Sequence, residues 1–143
     1  VKTECWDFHC HSTTSDGTLS PEAVLERAAA NGVTALALTD HDDLGGLLTA
    51  RESAEASGLD FVNGVEISIE WQRISIHVVG LGFDLNSPPL VEGLQQIRGG
   101  RVERARKMGD ALARCGIGGA FAGAMRYAGN PNLISRAHFA RFL

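Results

Sequence analysis

The sequence comprises 143 residues, 44% of them hydrophobic and 21% charged, with a formal net charge of -4 at pH 7. Those figures suit a soluble globular chain of about one domain and exclude disordered, collagen-like and disulfide-scaffold readings. Mild acidity argues against a nonspecific nucleic-acid coat but leaves room for a locally basic cleft.

In chain order, the first 82 residues read as strand and helix in alternation. From Cys5 to His11, Trp6, Phe8 and Cys10 point one way and Asp7, His9 and His11 the other, because side chains in a strand repeat every two residues. The spacing predicts a strand with one polar face, with Trp6, Phe8 and Cys10 in the core. Ser20 as N-cap, Pro21 at the first helical position and Glu22 in the first turn predict a helix over 21–30, stopped by Asn31-Gly32. Val33 to Thr39 is a short apolar run that fits a strand buried on both faces. Asp42-Asp43 opens a predicted second helix, which Gly58 closes. Phe61–Ile69 and Ile74–Leu81 are further β-rich runs, and the alternation predicts βαβ units in a parallel sheet.

From Asn86 the character changes. Ser87-Pro88-Pro89 resembles a helix start, and apolar residues then recur at helical spacing through Leu112, with Gly99-Gly100 as a break and Gly116–Gly119 as a joint. Phe121–Tyr127 and Leu133–Leu143 read as helices separated by the turn Gly129-Asn130-Pro131. The predicted organisation is a βα part over 1–85 and a helical segment over 86–143.

Certain polar residues do not fit a plain packing pattern. His9 and His11, at i and i+2 on one strand face, can converge on one metal ion at about 2.0–2.2 Å. Asp16 lies in the loop after that strand, near the carboxyl edge where parallel α/β folds place their active sites. Helix capping explains one acid of Thr39-Asp40-His41-Asp42-Asp43 but not a histidine among three aspartates. Glu66, inside a β-branched run, is costly to bury unless paired or metal-bound, and His77 repeats the problem. Together these six oxygen and nitrogen donors suit Zn, Mn or Fe(II), with more than one ion plausible.

The order and spacing of Asp7-Phe8-His9-Cys10-His11-Ser12 with Ser15-Asp16-Gly17, Leu38-Thr39-Asp40-His41-Asp42, Gly64-Val65-Glu66-Ile67-Ser68 and His77-Val78-Val79-Gly80 resemble the PHP domain, named for polymerase and histidinol phosphatase. The nearest resemblance is to its stand-alone bacterial branch, related to nucleotide 3',5'-bisphosphate phosphatases and 5'-3' exoribonucleases. It implies an α/β fold, a distorted (β/α)7 barrel with a helical insertion over the metal site. It further implies two or three divalent ions per complete site, of Mn, Zn or Fe. His9 and His11 would share one with Glu66, His77 would join Glu66 at a second, and Asp16 and His41 would serve a third. Asn130-Pro131 and Ile134-Ser135-Arg136-Ala137-His138-Phe139-Ala140 resemble that branch's insertion motif. A strand-end histidine and a Gly-Ser-Asp-x-His-like segment, which complete the family's clusters, do not occur in these residues.

The implied activity is hydrolysis of a nucleotide phosphate ester by metal-bound hydroxide, with no side-chain nucleophile. The implied substrate is a 3',5'-bisphosphonucleotide or a short RNA 5' end. Arg136 and His138 are candidate phosphate binders, and because they lie about 200° apart on a helix, both would reach one ligand only at a helix end. An amidohydrolase-like reaction and a catalytically inactive structural or regulatory module are the alternatives. A (β/α) barrel takes ~250 residues, so the expectation is the N-terminal part of a larger barrel, cut within its helical insertion. No apolar run reaches the ~20 residues of a membrane span, and three cysteines without CxxC spacing suit reduced thiols. The expected setting is the cytoplasm, with no membrane or protein partner.

Overall fold

The computed structural model describes residues 4–143. Strand β1 (Trp6–Cys10), helix α1 (Pro21–Ala30), β2 (Ala35–Leu38), α2 (Leu47–Ser57), β3 (Asp60–Trp71) and β4 (Ile74–Leu81) come first. Helices α3 (Pro88–Gly99), α4 (Arg101–Arg114), α5 (Ala120–Met125) and α6 (Arg136–Phe142) follow, with a 3-10 turn at Pro131–Leu133. The sheet order is β1-β2-β3-β4.

Helix α1 begins where its capping chemistry places it. Ser20 Oγ accepts from the Ala23 N–H at 3.3 Å and Pro21 occupies the first turn. Asn31 stops the helix, its side-chain amide donating to the Arg27 carbonyl at 2.7 Å. Its apolar face, Leu25 and Ala28, packs on Leu36 and Leu38 of β2 together with Leu47, Ala50 and Ala54 of α2. All four β2 residues are buried, as a run without polar alternation requires. Each such leucine contributes about 1.5–3 kcal/mol through burial.

Strands β1, β2 and β3 are parallel, with Ala35 opposite both Trp6 and Asp60. The expected all-parallel arrangement ends there, because β4 runs antiparallel to β3. Only Gln72 and Arg73 separate the two strands, both at positive φ (49° and 65°). A parallel return needs a crossover of a dozen or more residues, and a two-residue left-handed turn makes a hairpin instead. The sequence already held that signal in the shortness of the gap. Residues 60–81 are therefore one long hairpin whose outer part leaves Trp71, Ile74, Val78 and Leu81 exposed.

Three further expectations are corrected. Helix α2 starts at Leu47 and not at Asp42-Asp43, because both carboxylates are engaged elsewhere: Asp43 Oδ1 accepts from the Gly45 N–H at 2.7 Å, and Asp42 is buried against β3 and α4. Trp6 is exposed, stacked beside Phe8 at 6.0 Å between ring centroids, whereas Cys10 packs against the α1–α2 core as expected. The predicted 133–143 helix is interrupted at Ile134-Ser135, with Ser135 capping α6.

A second cluster, Ala105, Ala120, Ala124, Ile134 and Phe139, holds α4, α5 and α6 together. Its alanines allow close helix approach. No helix among the described residues is long and apolar enough to cross a membrane.

Gly64 is the tightest point between β2 and β3: a Cβ there would meet the Leu38 carbonyl oxygen at 2.6 Å and Thr39 Cγ2 at 2.7 Å. Gly64→Ala should lower unfolding free energy by about 1–3 kcal/mol, read as a reduced urea midpoint. An unchanged midpoint would contradict this close strand spacing.

Candidate metal centre

The ends of β1 and β2 and the middle of β3 meet through backbone pairing. Beyond the regular ladder, the Glu66 N–H donates to the Asp40 carbonyl at 3.2 Å and the Asp42 N–H to the Glu66 carbonyl at 3.0 Å. This isolated bridge sets His41 beside Glu66. His9 and His11 arrive from β1 and its end, while His77 arrives from β4, where it pairs with Ser68.

Glu66 is the hub. Its Oε2 lies 2.8 Å from His9 Nε2, 2.9 Å from His11 Nε2 and 3.8 Å from His41 Nδ1, and its Oε1 lies 2.8 Å from His77 Nδ1. The outer nitrogens of His11 and His41 stand 3.7 and 3.8 Å from the Asp16 carboxylate. Three groups thus form: His9-His11-Glu66, His11-Asp16-His41, and His41-Glu66-His77, the donor atoms of each lying within 4.8 Å of one another. Donors sharing one ion at 2.0–2.2 Å stand roughly 3–3.5 Å apart, and the 2.8–3.8 Å contacts of Glu66 and Asp16 with the four imidazoles lie around that range. Three buried atoms, His11 Nδ1, His41 Nδ1 and His138 Nε2, have no hydrogen-bond partner among the described residues, and the first two lie within the cluster, where an electrophile would be accommodated. His11 and His41 each serve two groups, and a neutral imidazole offers one lone pair. Three ions on these six residues would therefore need additional donors.

The electrostatics suit metal binding. Burial pushes His41 below its ordinary value, against the attraction of Asp16 and Glu66, which favours the neutral, metal-binding form of the ring. Burial alone would push the Glu66 carboxyl up, but hydrogen bonds with His9 and His77 and the charges of His41 and His11 outweigh it and hold the group below the usual carboxylate value. Cys10, behind the strand, has its thiol pushed up to about 12 by burial and by Asp7 and Asp40, so it is a poor ligand.

The loop carrying Asp16 is tied down by Asp40. That buried carboxylate accepts from the Ser12 N–H at 2.8 Å, Ser12 Oγ at 2.6 Å and Ser15 Oγ at 2.5 Å. Helix α6 reaches the same loop: Ser135 Oγ donates to Asp16 Oδ2 at 3.1 Å, and Arg141 donates to the Asp16 and Gly17 carbonyls at 2.6 and 3.1 Å.

Beside the cluster lies a cavity of about 150 Å³ whose lining includes Asp16, His41 and His77 together with Arg101, Arg104 and Arg136. Arg136, the first residue of α6, lines it. His138 does not: its ring is buried, and Nδ1 accepts from the Ser135 N–H at 2.9 Å as part of the α6 capping box. Sequence reasoning did not single out Arg101 or Arg104, and it placed Ser135 only within the insertion motif, without a role. Arginines on an amphipathic helix carry no sign of which face a cavity.

Comparison with known proteins places these features in context. The PHP domain family model matches residues 7–128. A 3',5'-nucleoside bisphosphate phosphatase of Chromobacterium violaceum is 55% identical over 137 residues, 96% of this chain and 48% of that protein. A 5'-3' exoribonuclease of Haemophilus influenzae is 44% identical over 141 residues, 99% of this chain and 51% of that protein. The structure of an amidohydrolase from Chromobacterium violaceum, with bound sulfate and no metal, superposes with a TM-score of 0.92 at 53% identity, covering 97% of this chain and 48% of that one. The chain spans about half the length of the curated relatives it matches. The fold is accordingly α/β, an incomplete, distorted PHP barrel with appended helices.

His41 and His138 are both held below the ordinary imidazole value, chiefly by burial. The unfolded chain therefore takes up their protons at higher pH than the folded one. Stability of the metal-free protein should be full above pH ~6.5 and fall as pH drops through that value towards the lowered folded values. Glu66, also lowered, adds a loss of the same sign below about its ordinary 4.5. Melting temperatures between pH 8 and 5 check this, and a rise on acidification would contradict it.

Proposed function

Because this chain belongs to the PHP domain family, we propose that it forms the metal-binding part of a phosphoesterase. Its substrate would be a nucleotide phosphate ester, either a nucleoside 3',5'-bisphosphate or the 5' end of a short RNA. The observation that carries this reading is the convergence of four imidazoles on the two oxygens of Glu66, with Asp16 beyond them.

In this proposal His9, His11 and Glu66 hold one ion, Glu66 and His77 a second, and Asp16 and His41 a third, the remaining donors of each coming from outside these six residues. Mn, Zn and Fe(II) all suit an imidazole and carboxylate set without thiolate. Divalent ions bound there would supply Lewis acidity, activating a water and offsetting the charge that gathers on phosphoryl oxygens. The chain's own groups bind and orient the substrate. Arg136 and Arg104 line the same cavity as Asp16, His41 and His77, and neither is ion-paired among the described residues. Their planar forks can grip phosphate at two points. His138 would act indirectly, by capping α6 and so aiming Arg136. Residues 1–85 are the barrel part and 86–143 its helical cover. Three free thiols and the lack of a long apolar helix among the described residues favour the cytoplasm.

The amidohydrolase reading is favoured by the name of the structurally similar Chromobacterium protein. Against it, a cavity lined by three arginines suits an anionic ester better than a neutral amide. The experiment is phosphate release from a nucleoside 3',5'-bisphosphate by the Mn2+-loaded full chain, beside hydrolysis of simple amides. Phosphate release without amide cleavage is expected, and the reverse would overturn the proposal. Glu66→Gln should reduce both bound metal and phosphate release by ~100-fold or more. Arg136→Ala should raise KM about 10-fold or more, as expected when a charged hydrogen bond to phosphate is lost.

A further inference from the structure

The least expected feature near the cluster is a carboxylate that faces away from it. Asp42 follows His41, is fully buried and sits at a φ of 53°, a left-handed conformation that aspartate tolerates better than most residues. Each of its polar groups is used. Its N–H donates to the Glu66 carbonyl, its Oδ1 accepts from the Ser68 N–H at 2.6 Å, and its carbonyl accepts from Arg98 Nη1 at 2.6 Å. Its Oδ2 accepts from Arg101 Nε at 3.1 Å and from Arg101 Nη2. The same Nη2 donates to Ser68 Oγ at 3.0 Å. Arg98 and Arg101 lie on either side of the Gly99-Gly100 break that ends α3 and begins α4.

We propose that Asp42 and Arg101 form a positioning clasp for the metal centre, holding the backbone of His41 against Glu66 and the start of α4 over the cluster. Both are positioning residues, since neither supplies a donor atom to the three groups. Asp42 joins the end of β2 to β3 two residues beyond Glu66, and Arg101 joins both to the helical segment while forming part of the cavity wall. The approach of the cavity arginines and the geometry of His41 are thereby set by one buried pair. A pair that only stabilised the fold would not need to reach β2, β3 and α4 at the same point.

The consequence for metal affinity rests on the proposed phosphoesterase site, whereas the mechanical coupling does not, so two measurements on the full chain separate them. Amide hydrogen exchange is followed at residues 40–43 and in the first turn of α4, and Mn2+ affinity is measured by calorimetry. In Arg101→Met, exchange should accelerate in both segments together and Mn2+ should bind at least ~10-fold more weakly. Arg101→Lys, which keeps the charge but loses the fork, should recover part of both. Leu94→Ala, a buried α3 position outside the cavity wall, should lower the melting temperature without changing Mn2+ affinity. Faster exchange confined to α4, or native Mn2+ affinity in Arg101→Met, would overturn the clasp. If the unsubstituted chain binds no Mn2+, the metal reading fails and the exchange result alone decides the clasp. Should Arg101→Met not fold, Ser68→Ala removes only one acceptor of Arg101 and should accelerate exchange modestly in the same two segments; no change in either overturns the proposal.

Discussion

A carboxylate buried in the middle of a strand organises this molecule. Removing an ionised group from water costs several kcal/mol unless positive or hydrogen-bonding partners surround it. Glu66 is surrounded by four imidazoles, and those rings come from every part of the sheet. His9 and His11 need β1 beside β2, His41 needs the end of β2 bridged to β3, and His77 needs β4 folded back on β3. The same constraint that makes the site also dictates much of the sheet order.

The aspartates around His41 divide the supporting work by strand geometry. Asp40 and Asp42 are two residues apart, yet they serve opposite sides because Asp42 adopts a left-handed backbone conformation. Asp40 gathers the hydroxyls and backbone of the loop that carries Asp16. Asp42 gathers β3 and the arginines of the helical segment. His41 stands between two buried anchors, one holding the loop on its left and one the helices on its right. Ser135 and Arg141 reach the Asp16 loop from α6, so the helical segment touches the cluster's surroundings at both ends.

Much of this was legible in the residues because burying polarity leaves a trace in the pattern. A glutamate in a β-branched run, a histidine in another and three aspartates around a third histidine cannot be explained by packing or capping alone. Glu66, His77 and His41, singled out on those grounds, meet with His9, His11 and Asp16, singled out by strand alternation and loop position, in one cluster. Where a local rule competed with a tertiary contact, the local reading failed: Asp42-Asp43 resembles a helix start, but the buried arginine and the β3 amide take the carboxylate that would have capped it. Trp6 alternates like a core residue, yet it lies on an edge strand whose outer side is uncovered among the described residues. His138 and Arg136 belong to one motif, and only the start of α6 separates a ring used for capping from a guanidinium turned to the cavity.

The sequence by itself determined the α1 boundaries, the buried β2 run, the break at Gly99-Gly100 and the identity of the polar residues that packing could not explain. These follow from local chemistry: capping, periodicity and the cost of burying charge act within a few residues. Only the tertiary structure decided that β4 returns antiparallel, that His77 reaches Oε1 of Glu66 and that Arg101, Arg104 and Arg136 line one cavity with His41 and His77. Those outcomes depend on which strand or helix lies next to which. A side chain's partner across tens of residues is set by the packing of whole elements, not by the pattern on either one.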